Sequence, residues 1–106
     1  MSVKVEIKER TLLALISGEV DHHTAKSIRS EIDSAIEINQ PSQTILDFSE
    51  VTFMDSSGIG LVMGRYKIMQ GIGGTVAIQN PPNNIKKVMQ LAGLDKIASI
   101  NNTKVG

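Results

Sequence analysis

The residues best suited to chemistry lie together in the stretch Phe53-Met54-Asp55-Ser56-Ser57-Gly58-Ile59-Gly60. An apolar run ends at Met54, small polar residues follow, and helical spacing begins at Ile59. The segment therefore reads as a strand passing through a tight turn into a helix. The first amides of a helix lack intrahelical partners, and the dipole places partial positive charge beside them. A serine in that place is exposed at a loop tip, open to a kinase, and a phosphate on it is well tolerated. Asp and Ser are also favoured N-caps. On local chemistry alone, capping by Asp55, Ser56 or Ser57 is the commoner use of such residues.

The glycines nearby imitate a nucleotide fingerprint without completing one. Gly58, Gly60 and Gly64 give G-x-G-x-x-x-G, Met63 stands where the third glycine belongs, and no G-x-x-x-x-G-K-[ST] occurs. Close packing is the favoured reading, with Gly60 and Gly64 on one helix face allowing a backbone to approach. His22 and His23 are the two histidines. Adjacent side chains point apart, and a metal needs convergent ligands, so no metal site is expected. Ser56, a histidine and Asp21 supply the residue types of a hydrolase, but the G-x-S-x-G elbow is absent. Lys86-Lys87, Arg65 and Lys67 are expected on solvated faces.

The elements that must position Ser56 follow from hydrophobic periodicity. Val3, Val5 and Ile7 alternate with Lys4, Glu6 and Lys8, which predicts a half-exposed strand. Glu9-Arg10 is a tight connection to a more buried antiparallel strand over Thr11–Ser17, broken by Gly18 and Asp21. Ala25, Ile28, Ile32, Ala35 and Ile36 mark an amphipathic helix, with Asp21 or Thr24 as its N-cap and Pro41 beyond its end. Thr44–Phe48 reads as a central strand, and Val51–Met54 continues towards the turn. Ile59, Val62, Met63, Tyr66 and Met69 predict a second helix, ended by Gly71, Gly73 and Gly74. Thr75–Ile78 is a strand closed by Pro81-Pro82. Ile85, Val88, Met89 and Ala92 mark a third helix with Gly93 as its left-handed end and Leu94 folding back. Ile97–Ile100 is a last short strand. The order β-β-α-β-α-β-α-β predicts an α/β domain with a mixed, mostly parallel sheet opened by an N-terminal hairpin. Three helices leave one sheet face thinly covered.

Bulk properties narrow the function. The 106 residues suffice for one domain with one modest core. Hydrophobic residues make up 41% and charged ones 21%, the balance of a globular protein. Eleven basic residues match eleven acidic ones, so no global field draws nucleic acid or anionic lipid. Two Phe, one Tyr and no Trp are too few for a base-stacking platform. Cysteine is absent, which excludes disulfides and thiol chemistry. The N-terminus alternates polar and apolar residues, unlike a signal peptide or a membrane span, and a cytoplasmic location is expected.

The runs GEVDHHTAKSIRSEI and LDFSEVTFMDSSGIGLVMGRYK, followed by GIGG, closely resemble the STAS family (sulfate transporter and anti-sigma antagonist), and within it the sporulation-type anti-sigma-factor antagonists. The likeness spans Gly18 to about Leu94, and the single domain over residues 1–106 is read as STAS-like. In that family the first serine of the DSSG turn is the phosphoacceptor, which here is Ser56. The resemblance implies a regulator rather than an enzyme, without a cofactor or metal of its own and monomeric when free. Its unphosphorylated form would bind an anti-sigma factor that is also a serine kinase, with ATP and magnesium belonging to that kinase. A serine phosphatase would reset it. Asp21, His22, Asp55, Ser57, Gly58, Ile59 and Gly60 are the implied partner-binding residues, Asp21 because the family's acidic residue after the second strand lies near the phosphorylation turn. A STAS subunit of another stress-signalling complex is the alternative within the family. A small hydrolase or nucleotide-binding protein is the alternative outside it. The family usually carries another helix after the last strand, whereas Asn101-Asn102-Thr103-Lys104 has no helical apolar stripe. A missing or shortened final helix is therefore expected.

Overall fold

The computed structural model describes residues 2–102. Its elements are β1 (Val3–Lys8), β2 (Thr11–Val20), α1 (Thr24–Asn39), β3 (Gln43–Met54), α2 (Ser56–Gly71), β4 (Thr75–Gln79), α3 (Asn83–Leu91) and β5 (Ser99–Asn101), with a 3-10 turn at Leu94–Lys96. This is the expected order. The five strands form one sheet in the order β1-β2-β3-β4-β5, antiparallel between β1 and β2 and parallel elsewhere. Each parallel strand lies beside its predecessor, so right-handed crossovers carry the connecting helices to one side. α1 packs on β1 and β2, α2 packs on β3 and β4, and the two helices touch each other. On the other face Leu13, Leu15 and Ile45 remain half exposed, although they lie within the sheet.

The core is the layer between sheet and helices. Leu12, Ala14 and Ile16 of β2, Leu46 and Phe48 of β3, and Ile78 of β4 are buried against Ile28, Ile32 and Ile36 of α1 and Leu61, Val62 and Met69 of α2. Burying each large aliphatic or aromatic side chain contributes about 1.5–3 kcal/mol. Ile85 and Met89 extend the core under α3, and Leu94 folds into it after Gly93 at φ 81°.

Four expectations are corrected. β2 does not stop at Ser17; Gly18 adopts φ 80° and the register to β3 shifts there, but pairing resumes and reaches Val20 opposite Met54. The positive φ serves an irregularity within the ladder rather than its end. Gly60 and Gly64 admit no close approach, since a Cβ at either would meet nothing within 4 Å. Arg65 is not on a solvated face: it is 4% exposed, and its Nε lies 2.8 Å from Asp33 Oδ1 on α1. That N–H is poorly aligned with the carboxylate, so charge rather than a directed hydrogen bond holds the pair. Arg65 Nη1 donates to the Leu61 carbonyl at 3.3 Å. Burial lowers the Arg65 pKa, Asp33 opposes the shift, and nearby Arg29 adds to it. Lastly, His22 and His23 do not point apart; their rings meet edge to face at 5.8 Å. The expected loss of a final helix falls partly on residues 103–106, which lie outside the described residues.

Asp47 fastens β3 to the segment that leaves β4. It is 4% exposed and accepts hydrogen bonds from the Ser49 backbone N–H at 2.8 Å, Gln79 Nε2 at 2.8 Å and Asn80 Nδ2 at 3.2 Å. Burial alone would raise its pKa, but the donors outweigh burial and hold it below the ordinary carboxylate range. A depressed folded-state pKa stabilises above the unfolded value and loses that contribution as pH falls through the folded one. Wild-type stability, followed by urea denaturation from pH 6 to pH 3, should therefore drop more steeply below about pH 4 than that of Asp47→Asn. At pH 7, Asp47→Ala should cost about 1–3 kcal/mol, because the Ser49, Gln79 and Asn80 donors lose their acceptor. Parallel pH profiles of wild type and Asp47→Asn would show that the carboxylate does not carry this sensitivity.

Candidate functional site

Two turns meet at the carboxyl ends of neighbouring parallel strands, the edge at which open α/β sheets place their binding sites. β2 ends at Val20 and β3 at Met54, paired in register, and the Asp55 N–H donates to the Val20 carbonyl at 3.1 Å. Asp21 and Asp55 therefore leave the sheet side by side, the one towards α1 and the other towards α2.

The Asp55 turn divides its duties between neighbours. Asp55, half buried, caps α2 by accepting from the Ser57 N–H at 2.8 Å. Its carbonyl accepts from the Gly58 N–H at 3.0 Å. Of the first amides of the helix, those of Asp55, Ser57 and Gly58 are thus engaged. Ser56 is exposed, and its hydroxyl makes no hydrogen bond with the described residues. The two uses of this stretch open to sequence reasoning both occur, on different residues: Asp55 caps, and Ser56 is presented. The amides expected to receive a phosphate are largely taken by the cap.

Gly58 is buried at the start of α2, and a Cβ there would collide with the side chain of Met54. Ile59 is half buried and Gly60 exposed. The close approach expected at Gly60 is therefore found two residues earlier.

The Asp21 turn is equally ordered. Asp21 Oδ1 accepts from the His23 N–H at 2.9 Å and the Thr24 N–H at 3.0 Å. Thr24 Oγ1 accepts from the Asp21 N–H at 3.0 Å and donates to the Glu19 carbonyl at 2.8 Å. Of the two predicted caps, Asp21 acts as one, whereas Thr24 lies inside the helix and returns a bond to the Asp21 N–H. The Thr24 N–H, partly offset by desolvation, holds the Asp21 pKa down, helped by the His23 N–H and the Thr24 hydroxyl. Asp21 is thus a carboxylate at neutral pH, next to the Ser56 turn as expected. His22 and His23 are exposed beside it.

Below the turns, a cleft of about 480 Å³ separates the starts of α1 and α2, lined by His22, Ala25, Lys26, Arg29, Ser57, Gly60 and Leu61. Nothing in the sequence had linked Lys26 or Arg29 to the Ser56 turn. Their spacing of three on one helix face was the available signal. Among the described residues no group of three or more His, Cys, Asp or Glu side chains converges as metal ligands. No helix of the described residues is long and apolar enough to cross a membrane.

Comparison with known proteins finds the STAS domain family matching residues 2–105. An anti-sigma F factor antagonist of Paenibacillus polymyxa is 36% identical over 107 residues, covering 99% of this chain and 90% of its own. The solved structure of the anti-sigma factor antagonist SpoIIAA in its unphosphorylated form superposes with a TM-score of 0.82 at 33% identity, covering 95% of this chain and 89% of that one. The structure of the Bacillus cell fate determinant SpoIIAA in its phosphorylated form gives a TM-score of 0.75 at 33% identity, covering 95% and 92%.

The packing of Gly58 and the openness at Gly60 predict opposite outcomes for one added methyl group. Gly58→Ala should destabilise by about 1–3 kcal/mol, because Met54 must be displaced from a packed position. Gly60→Ala should be neutral or stabilising by about 0.5–1 kcal/mol, because it removes backbone freedom from the unfolded chain without a clash. Urea midpoints of the two variants check this, and equal midpoints would mean that α2 does not rest on Met54 in this way.

Proposed function

This chain belongs to the STAS domain family, and from that premise we propose that it is an anti-sigma-factor antagonist switched by phosphorylation of Ser56. In its unmodified form it binds an anti-sigma factor that is also a serine kinase, and so releases a sporulation sigma factor. The kinase, supplying ATP and magnesium, transfers the γ-phosphoryl group to the Ser56 oxygen, and the modified protein dissociates. A serine phosphatase restores the hydroxyl. The chain is a substrate and a binding surface in this cycle, and the chemistry belongs to its partners.

The observation that carries this reading is the free, exposed Ser56 hydroxyl, held by an adjacent residue's cap at the first position of a helix. A kinase needs the oxygen accessible and its backbone fixed. Asp55 and Gly58 fix the backbone without engaging the hydroxyl. The sporulation assignment is supported by the 36% identity to an anti-sigma F factor antagonist.

The proposed switch is electrostatic. Phosphorylation adds about −1.5 to −2 of charge beside the carboxylates of Asp21 and Asp55. With the Ser57 and Gly58 amides already engaged, the phosphate must point outward or displace the cap. A partner surface shaped for a neutral hydroxyl beside two carboxylates then meets both bulk and repulsion. A loss of about 3 kcal/mol weakens binding on the order of a hundredfold, sufficient for a switch.

Intact mass and peptide mapping after incubation with the anti-sigma kinase and ATP should find a single phosphate on Ser56 and none on Ser56→Ala. Label appearing on Ser57 in Ser56→Ala would overturn the assignment. In titration calorimetry against the ADP-bound kinase, Ser56→Ala should bind like wild type and Ser56→Asp should bind more weakly. Equal binding by the two variants would reject the electrostatic mechanism even with Ser56 as the acceptor.

A further inference from the structure

The start of α1 departs from what helix stability alone favours. Lys26 stands in its first turn, where the dipole disfavours a cation, and that turn contains no acidic residue. Lys26 and Arg29 are three residues apart, so like charges face each other along the helix. Arg29 has Asp33 four residues on, its natural intrahelical partner. Asp33, however, is held by the buried guanidinium of Arg65. Neither Lys26 nor Arg29 has an ion-pair partner among the described residues. The cleft they line contains no carboxylate, and its α2 wall includes Gly60, whose Cβ position is open space. Two cations without an ion-pair partner thus stand beside an open cleft, a local departure from helix-stabilising charge placement of the kind that proteins keep at functional sites.

We propose that this cleft receives an acidic side chain of the anti-sigma partner, with Lys26 and Arg29 as its counter-charges. The inference rests on the function proposed above and extends it to the chemistry of the docking surface. The cleft adjoins the phosphorylation turn through Ser57 and Gly60, so a partner reaching the Ser56 hydroxyl also covers the cleft. The surface it meets is bipolar: carboxylates at Asp21 and Asp55 above, cations at Lys26 and Arg29 below. A complementary partner presents a basic group to the first pair and an Asp or Glu to the second. Such a pattern fixes orientation as well as affinity, because a rotated encounter sets like charges against each other. Burying a partner carboxylate there also relieves the repulsion between Lys26 and Arg29.

The test is a charge-reversed double variant, Lys26→Glu with Arg29→Glu, titrated against the ADP-bound anti-sigma kinase beside wild type at low and high salt. Lys26→Glu places an acid in the first turn while Arg29→Glu sets a like charge four residues from Asp33, so the variant should melt close to the wild-type temperature. Its affinity should nevertheless fall by about tenfold or more at low salt, and the deficit should shrink as salt rises. The uncharged pair Lys26→Gln with Arg29→Gln should lose less, separating charge from shape and serving if the reversed variant proves unstable. Wild type binding the kinase while the folded variants bind equally well at both salt concentrations would overturn this inference and leave the proposed function intact. Failure of wild type itself to bind would overturn the proposed function.

Discussion

The parallel ladder between β2 and β3 runs from Thr11 opposite Gln43 to Val20 opposite Met54, and its far end sets where both turns of the site begin. The ladder accommodates irregularities near Ser17 and Gly18, yet closes in register, with the Asp55 N–H on the Val20 carbonyl. That closing bond places two acidic turns from distant parts of the sequence next to each other. An offset of one residue would turn Met54 away from the core and carry Asp55 and Ser56 to a different height relative to Asp21. The Ser56 turn is therefore as well placed as the sheet beneath it, a firmer support than a free loop supplies.

Presentation of Ser56 depends on neighbours that absorb the local constraints. Asp55 accepts the Ser57 amide, Gly58 lets α2 come down on Met54, and neither uses the Ser56 hydroxyl. A cap formed by Ser56 itself would occupy the oxygen that the proposed transfer requires. The short polar run thus holds two roles that a single serine cannot fill at once.

The contact between α1 and α2 links packing to surface charge. Arg65 lies in the stripe Gly58, Leu61, Val62, Arg65 and Met69 that α2 buries, and a buried guanidinium without a counter-charge is costly. Asp33 supplies that counter-charge from α1. Asp33 pairs with Arg65 and not with Arg29, which stays exposed at the cleft. The packed interior and the charged cleft thus meet at one carboxylate, Asp33.

Periodicity alone determined most of the architecture. The alternation of Val3, Val5 and Ile7, the helical spacing of Ile28, Ile32 and Ile36, and the glycine after Ala92 are local signals, and each produced the element it predicts. The DSSG turn was legible too, because its residue types and its likeness to a known family are both properties of contiguous sequence. Long-range relations were not legible. Gly18 resembles a strand terminator until β3 is there to continue the pairing past it. Arg65 resembles a solvated residue because α2 is apolar on several sides, and only the arrival of α1 decides which face is buried. Gly58 and Gly60 are equivalent in a motif, but Met54 lies against one and nothing against the other. The cleft is formed by α1 and α2 together, so Lys26 and Arg29 belong to the Ser56 site only once β2 and β3 have brought those helices side by side. Local periodicity encodes the elements, whereas burial, counter-charge and open space depend on which distant residues arrive, and only the tertiary structure decides that.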